Sequence, residues 1–290
     1  MKKLILINLL FIGSLFSQDY YYSKYAPFDD DILSPEEFLG YPIGEMHTRH
    51  DLIVSYMEYL SDSSDKAKIF YYGKTYEKRK LLILAISSPE KIVDIEKIRD
   101  SHISYIDPEH PNYNSNKKPD DFPVIINLAY NVHGNEPSSS EAALLNAYTL
   151  VSSQSDEINK YLNESIILID PTINPDGRDR HTHWANTYKG SPLVDDPQDA
   201  EHNEYWPGGR TNHYWFDLNR DWYLGIHPES RGKLNWYHKW QPNVTTDFHE
   251  MGSNSTYFFV PFKPNGSLNP VIPKENYDYF NFLFGSYYAK

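Results

Sequence analysis

Pro123-Val-Ile-Ile-Asn-Leu-Ala-Tyr-Asn-Val132 is the stretch that decides the fold. It is apolar and β-branched enough to read as a buried strand, and His133-Gly-Asn-Glu136 follows it with a turn at Gly134. A helix is expected next. Ser138 can cap its first turn while Glu141 returns the bond, and Ala142, Leu144, Leu145, Tyr148 and Leu150 give it an apolar character. His133 and Glu136 are thereby placed in a strand-to-helix loop, and in open α/β sheets ligands bind outside the carboxyl ends of the strands.

A second strand, Asn243-Val-Thr-Thr-Asp-Phe248, delivers His249 to the same kind of edge. Two imidazoles and one carboxylate, with a fourth position open, form a hydrolytic zinc arrangement. Neither His-x-x-Glu nor Asp-Phe-His means much alone in a chain with 12 histidines. The order of further elements between them is far more specific: Asn174-Pro-Asp-Gly177, then Phe216-Asp-Leu-Asn-Arg-Asp-Trp222.

This ordered set resembles the zinc carboxypeptidase family, whose hallmarks run His-x-x-Glu, Asn-Pro-Asp-Gly, Asn-Arg and a strand-borne His; the likeness extends from about Pro35 to the last residue. It implies an α/β three-layer sandwich with a mixed, mostly parallel sheet flanked by helices. It also implies one Zn2+ per chain on His133, Glu136 and His249, and a grip by Asn219 and Arg220 on the terminal carboxylate of a peptide substrate. A guanidinium suits that task because it meets a carboxylate as a bidentate fork and stays charged. A further arginine of the family polarises the scissile carbonyl and stabilises the oxyanion. Arg210 is favoured for it over Arg178 and Arg180, which directly follow Asn-Pro-Asp-Gly, and Arg178 is expected to bind substrate. Four of the eight arginines lie at 178, 180, 210 and 220, and one or two of them are expected simply to pair with Asp179, Asp217 or Asp221.

The expected activity is therefore zinc-dependent hydrolysis of C-terminal peptide bonds, on peptides or proteins with a free C-terminal carboxylate. Two other readings keep the same residues: a same-fold amidohydrolase of acyl-amino acids or cell-wall peptides, and a non-catalytic zinc-containing peptide-binding fragment. The family's general base is a glutamate well downstream of the last zinc histidine. Only Glu250 and Glu275 follow His249 here. Glu250 would point away from the metal on a strand, and Glu275 lies in the helix-like stretch from Pro273 to Gly285. The aromatic run from Phe280 onward reads as interrupted packing, so the expectation is a catalytic domain incomplete at its C-terminus, the front part of a longer reading frame.

Composition fits a large exported enzyme, 290 residues at 40% hydrophobic content. Met1-Lys-Lys3, an apolar run from Leu4 to Phe16 too short to span a bilayer, and Ser17 read as a secretory signal over residues 1–17, with secreted or periplasmic placement. Residues 18–33 read as an N-terminal extension and 34–290 as the catalytic domain. There is no cysteine for disulfides or thiolate ligands, and the net charge of −13 opposes binding to nucleic acid or anionic membranes. No stable membrane insertion is expected. Ser34-Pro-Glu-Glu37 is a capping box, His50 to Leu60 an amphipathic helix, and 69–72 with 80–86 a hairpin. Ser165 to Asp170 is another buried strand. Asn-Pro-Asp-Gly reads as a tight turn with positive φ at Gly177, and 181–215 as a long ordered loop whose histidines 181, 183, 202 and 213 are ordinary loop residues.

Overall fold

Alternation within three apolar runs builds the sheet, because successive strand side chains point to opposite faces. A computed structural model describes residues 23–114, 116–252, 255 and 269–288; the signal over 1–17 lies outside them. The strands are β1 (Ala67–Lys74), β2 (Lys80–Ile86), β3 (Val124–Tyr130), β4 (Ser165–Asp170) and β5 (Val244–Phe248), in spatial order β1-β2-β4-β3-β5. β1 with β2 and β2 with β4 pair antiparallel, while β3 pairs parallel with both β4 and β5. The sheet is mixed, as expected, and parallel where the site lies.

Helices cover both faces. They are α1 (Pro35–Leu39), α2 (His50–Ser63), α3 (Pro89–Val93), α4 (Ile95–Ile106), α5 (Pro137–Ser152), α6 (Asp156–Glu164), α7 (Pro175–Tyr188), α8 (Pro228–Trp240) and α9 (Lys274–Tyr288). Leu82, Leu84 and Ile86 of β2, with Ile167 and Ile169 of β4, share one core with Ile53, Met57 and Leu60 of α2 and with Ala143, Leu144 and Ala147 of α5. The intervening Ile83, Ala85, Ile166 and Leu168 face the other way, against Ile92, Ile95, Trp236 and Trp240. β4 is buried along its whole length, which is why it carries no polar alternation. Each such fully buried Ile or Leu is worth about 2 kcal/mol relative to exposure.

Several sequence expectations hold locally. Ser34 and Glu37 form the capping box of α1, α2 covers the expected amphipathic stretch, and the β1–β2 hairpin forms. Two others are corrected. α5 opens at Pro137 with Glu136 at the N-cap position, so the Ser138–Glu141 box is not what starts it. Glu141 is buried instead, accepting bonds from Thr48 N at 2.7 Å and Thr48 Oγ1 at 2.8 Å. Asn174-Pro-Asp-Gly177 is a helix start rather than a reversal. Asn174 Oδ1 accepts from Gly177 N at 3.0 Å, Pro175 occupies the first turn where no N–H is needed, and α7 then runs through His181 and His183. The buried positions of α7 are Pro175, Asp176, Gly177, Arg178, Thr182 and Ala185, mostly not apolar, so a hydrophobic period could not reveal it.

The chain divides into two compact units, Met1–His249 and Glu250–Lys290. In the first, part of the extension packs on the end of α5: Phe28 stacks on Tyr148 at 5.2 Å and Asp29 N donates to Ser152 O at 2.8 Å. In the second, the helix-like tail forms α9, with Glu275 in its first turn. Among the described residues no helix is long and apolar enough to cross a membrane.

Candidate metal centre

β3 and β5 run side by side and end together, with Tyr130 opposite Phe248 and their rings stacked at 4.3 Å. Parallel pairing sends both chain exits to the same edge of the sheet. His133 and His249 therefore arrive with ring centroids 4.9 Å apart. The loop after β3 is held by buried Asn131, at φ 58, a left-handed conformation that asparagine tolerates. Its Nδ2 donates to the carbonyls of His133 and Glu136, both at 2.9 Å, and its backbone N–H donates to Ser139 Oγ at 2.8 Å.

The three expected donors converge. His133 Nδ1 lies 2.7 Å from Glu136 Oε1 and His249 Nδ1 lies 3.1 Å from Glu136 Oε2; all three ligand atoms fall within 4.8 Å of one another. Tetrahedral bonds of about 2.1 Å set ligand atoms about 3.4 Å apart, so these side chains could hold a zinc-sized ion after side-chain adjustments on the order of an ångström. The charge also fits. Asp247, and then Glu136, hydrogen-bond the His249 ring and lift its pKa to about 10 against the cost of burial. Negative charge thus gathers around the His249 ring.

The outer partners lie inside the motifs but are assigned no role there. His133 Nε2 lies 3.0 Å from Asp217 Oδ1, and His249 Nε2 lies 3.1 Å from Asp247 Oδ2. Carboxylates in these positions fix ring orientation and tautomer and raise ligand basicity. Burial raises the Asp217 pKa, but the hydrogen bond from Arg210 and the charge of His133 outweigh it and hold the carboxyl below its usual range. The only signal for them in the sequence is an acid two residues before Asn219 and another two before His249. Asp217→Asn is expected to weaken zinc binding about 10- to 100-fold, with the fold intact, as read by competition against a chelator.

Asp217 also opens the short 3-10 turn Leu218–Arg220, accepting from Asn219 N at 2.9 Å. One turn therefore braces His133 and presents the Asn-Arg pair. Asn219 Nδ2 comes within 3.4 Å of His249 Nε2, and Arg220 is exposed, donating to Asn219 O at 2.9 Å. Arg210 joins the same cluster, with Nη2 2.9 Å from Asp217 Oδ2 and Nη1 3.5 Å from His133 Nδ1. Three glycines make this approach possible. A Cβ on Gly134 would sit 2.2 Å from Arg178 N, one on Gly177 2.4 Å from Gly209 O, and one on Gly209 2.5 Å from His181 Cβ. The loop of His133, the start of α7 and the Arg210 segment are thus pressed together where only glycine fits.

Arg178 is not part of this cluster. Its side chain is fully buried, with Nε donating to Thr48 O at 3.0 Å, Nη1 to Pro137 O at 2.7 Å and Nη2 to Glu141 Oε1 at 2.6 Å. No face of the guanidinium reaches solvent, so the substrate-binding role expected for it would require the side chain to leave these partners. Arg180 is likewise engaged, donating to the carbonyls of Gly208, Thr211 and Asn212. Of the loop histidines, His213 comes together with Glu77 and Asp176 closely enough to hold a metal, but Arg79 already sits between those two carboxylates, at 2.5 and 2.7 Å.

No curated protein matches the chain. Among solved structures, it is similar to thrombin activatable fibrinolysis inhibitor (14% identity, 75% of this chain and 52% of that one, TM-score 0.47). It is also similar to carboxypeptidase A from Helicoverpa armigera (14%, 83% and 53%, 0.44) and a metallo-carboxypeptidase from Burkholderia cenocepacia (15%, 69% and 40%, 0.42). The chain spans about two-fifths to one half of the length of these proteins. The sequence pattern of the zinc carboxypeptidase family matches residues 53–263, taking in both histidines, Glu136 and the Asn-Arg turn, and the chain belongs to that family.

Proposed function

We propose that this chain carries the catalytic site of an exported zinc metallocarboxypeptidase that removes residues from peptides with a free C-terminal carboxylate. The observation that carries the reading is the single turn from Asp217 to Arg220, in which Asp217 lies 3.0 Å from His133 and Asn219 lies 3.4 Å from His249. Zinc held by His133, Glu136 and His249 supplies a Lewis acid for the scissile carbonyl and the attacking water. Arg220 meets the terminal carboxylate with its forked donors, and Asn219 adds a neutral one. Arg210, its side chain 47% exposed, is free to turn from Asp217 toward the oxyanion that forms as the carbonyl is attacked. The family membership supports both the metal and the substrate class, and the basic, apolar N-terminus supports export.

The test compares paired peptides, one ending in a carboxylate and one in an amide, on the zinc-loaded protein. The acid is expected to bind, and the amide to bind poorly. Arg220→Ala should weaken binding of the acid by roughly 10- to 100-fold, the range set by a charged hydrogen bond, while leaving the amide unchanged. Equal losses for both peptides would make Arg220 a structural arginine and remove the carboxylate anchor from the reading.

A further inference from the structure

Trp206 and Trp215 are 71% and 57% exposed, and their rings meet with centroids 4.6 Å apart at a tilt of 60°. Both belong to the segment that carries Arg210. Trp206 stands four residues before it, and Trp215 two residues before its partner Asp217. The segment is densely hydrogen-bonded. Arg180 clamps the carbonyls of Gly208, Thr211 and Asn212, Glu204 Oε1 accepts from Gly209 N at 2.7 Å, and buried Asn212 accepts from the backbone of Tyr214 and Phe216 through Oδ1 at 3.0 and 3.1 Å.

Within this frame Trp215 has φ 60, a left-handed conformation in which a bulky side chain is an outlier. Strained backbone persists where the surroundings impose it, and it gathers at ligand-binding sites. Here the strain holds an indole out in water, which contributes little to the core. Glycine would suit that backbone better. A paired, exposed indole surface on a clamped loop beside a metal site is instead what a ligand would cover.

We propose that Trp206 and Trp215 form an aromatic shelf that seats a large apolar or aromatic side chain of the peptide substrate, on the amino side of the bond to be cut. This rests on the carboxypeptidase reading. The carboxyl end of such a peptide would be taken at Asn219 and Arg220, and the two rings stand on the segment that brings Arg210 to His133. The substrate class of the proposed function makes a peptide side chain the occupant.

The experiment uses two peptides with the same free C-terminal residue that differ only in the residue before it, phenylalanine or glycine, and measures their binding to the zinc-loaded protein. The wild type is expected to prefer the phenylalanine peptide about tenfold, the equivalent of one good aromatic contact. Trp215→Gly and Trp206→Ala should each reduce that preference several-fold, leaving the glycine peptide and the zinc content unchanged. Trp215→Gly should melt no lower than wild type, because glycine relieves the left-handed backbone. A preference that survives in both variants overturns the shelf, as does a parallel loss for both peptides. Tighter binding of a disaccharide-linked peptide through the same tryptophans would overturn the peptide side chain as its occupant. If the glycine peptide binds and no preference exists, the shelf fails alone; if neither peptide binds, the carboxypeptidase reading fails and takes the shelf with it.

Discussion

The His249→Ala variant is expected to lose zinc, while the wild-type chain holds one ion per molecule. Three side-chain donors from two strand exits make the site, and His249 is the only one of them contributed by β5. Its removal leaves His133 and Glu136 from a single loop, without the second imidazole. Changing an outer partner of a ligand costs about 10- to 100-fold in metal affinity, so losing the ligand itself should exceed about 100-fold. The fold should survive, because the ring sits at the exposed end of an edge strand and packs into neither core. Elemental analysis after dialysis, with far-ultraviolet circular dichroism as the folding control, reads the outcome. Unchanged zinc in a folded His249→Ala protein would mean that the ion binds elsewhere.

Arg178→Met should instead strike stability. The guanidinium is wholly buried and satisfies Thr48 O, Pro137 O and the Glu141 carboxylate at once. Removing one partner of a buried ion pair leaves an uncompensated charge and costs about 3–5 kcal/mol. For a chain of this size that corresponds to a fall in Tm of roughly 6–20 °C. Replacing both partners, as in Arg178→Met with Glu141→Leu, should recover part of the loss, since a neutral pair carries no stranded charge. Only part should return, because Glu141 also accepts from Thr48. A normal Tm with weakened peptide binding in Arg178→Met would restore the substrate role that the sequence suggests for this residue.

These two residues differ in how far their neighbours along the chain determine them. His133, Glu136 and His249 are legible at strand ends because β3 is a short apolar run and β5 a short β-branched one, and a strand exit fixes the direction of the next side chains. Asn219 and Arg220 are likewise legible as a pair, since motif order alone separates them from the other arginines. β4 and the β1–β2 hairpin follow from period-two and all-apolar patterns, and α2 from its amphipathic spacing. These are local properties, set by neighbours a few residues away.

Pairings of polar groups distant along the chain are a different matter. α7 escapes a reading by periodicity because its buried face is held by Arg79 and Thr75 on Asp176 and by Glu141 on Arg178, not by a stripe of apolar residues. Arg178 and Arg210 are the same residue type near the same motifs, yet one is sealed in the core and the other reaches His133. The difference arises only when Gly134, Gly177 and Gly209 let three segments meet at backbone distance. Strand propensity and metal-ligand chemistry are written in the residues themselves. Whether an arginine is a strut or a hand for substrate depends on which carboxylate the folded chain brings beside it, and only the tertiary structure decides that.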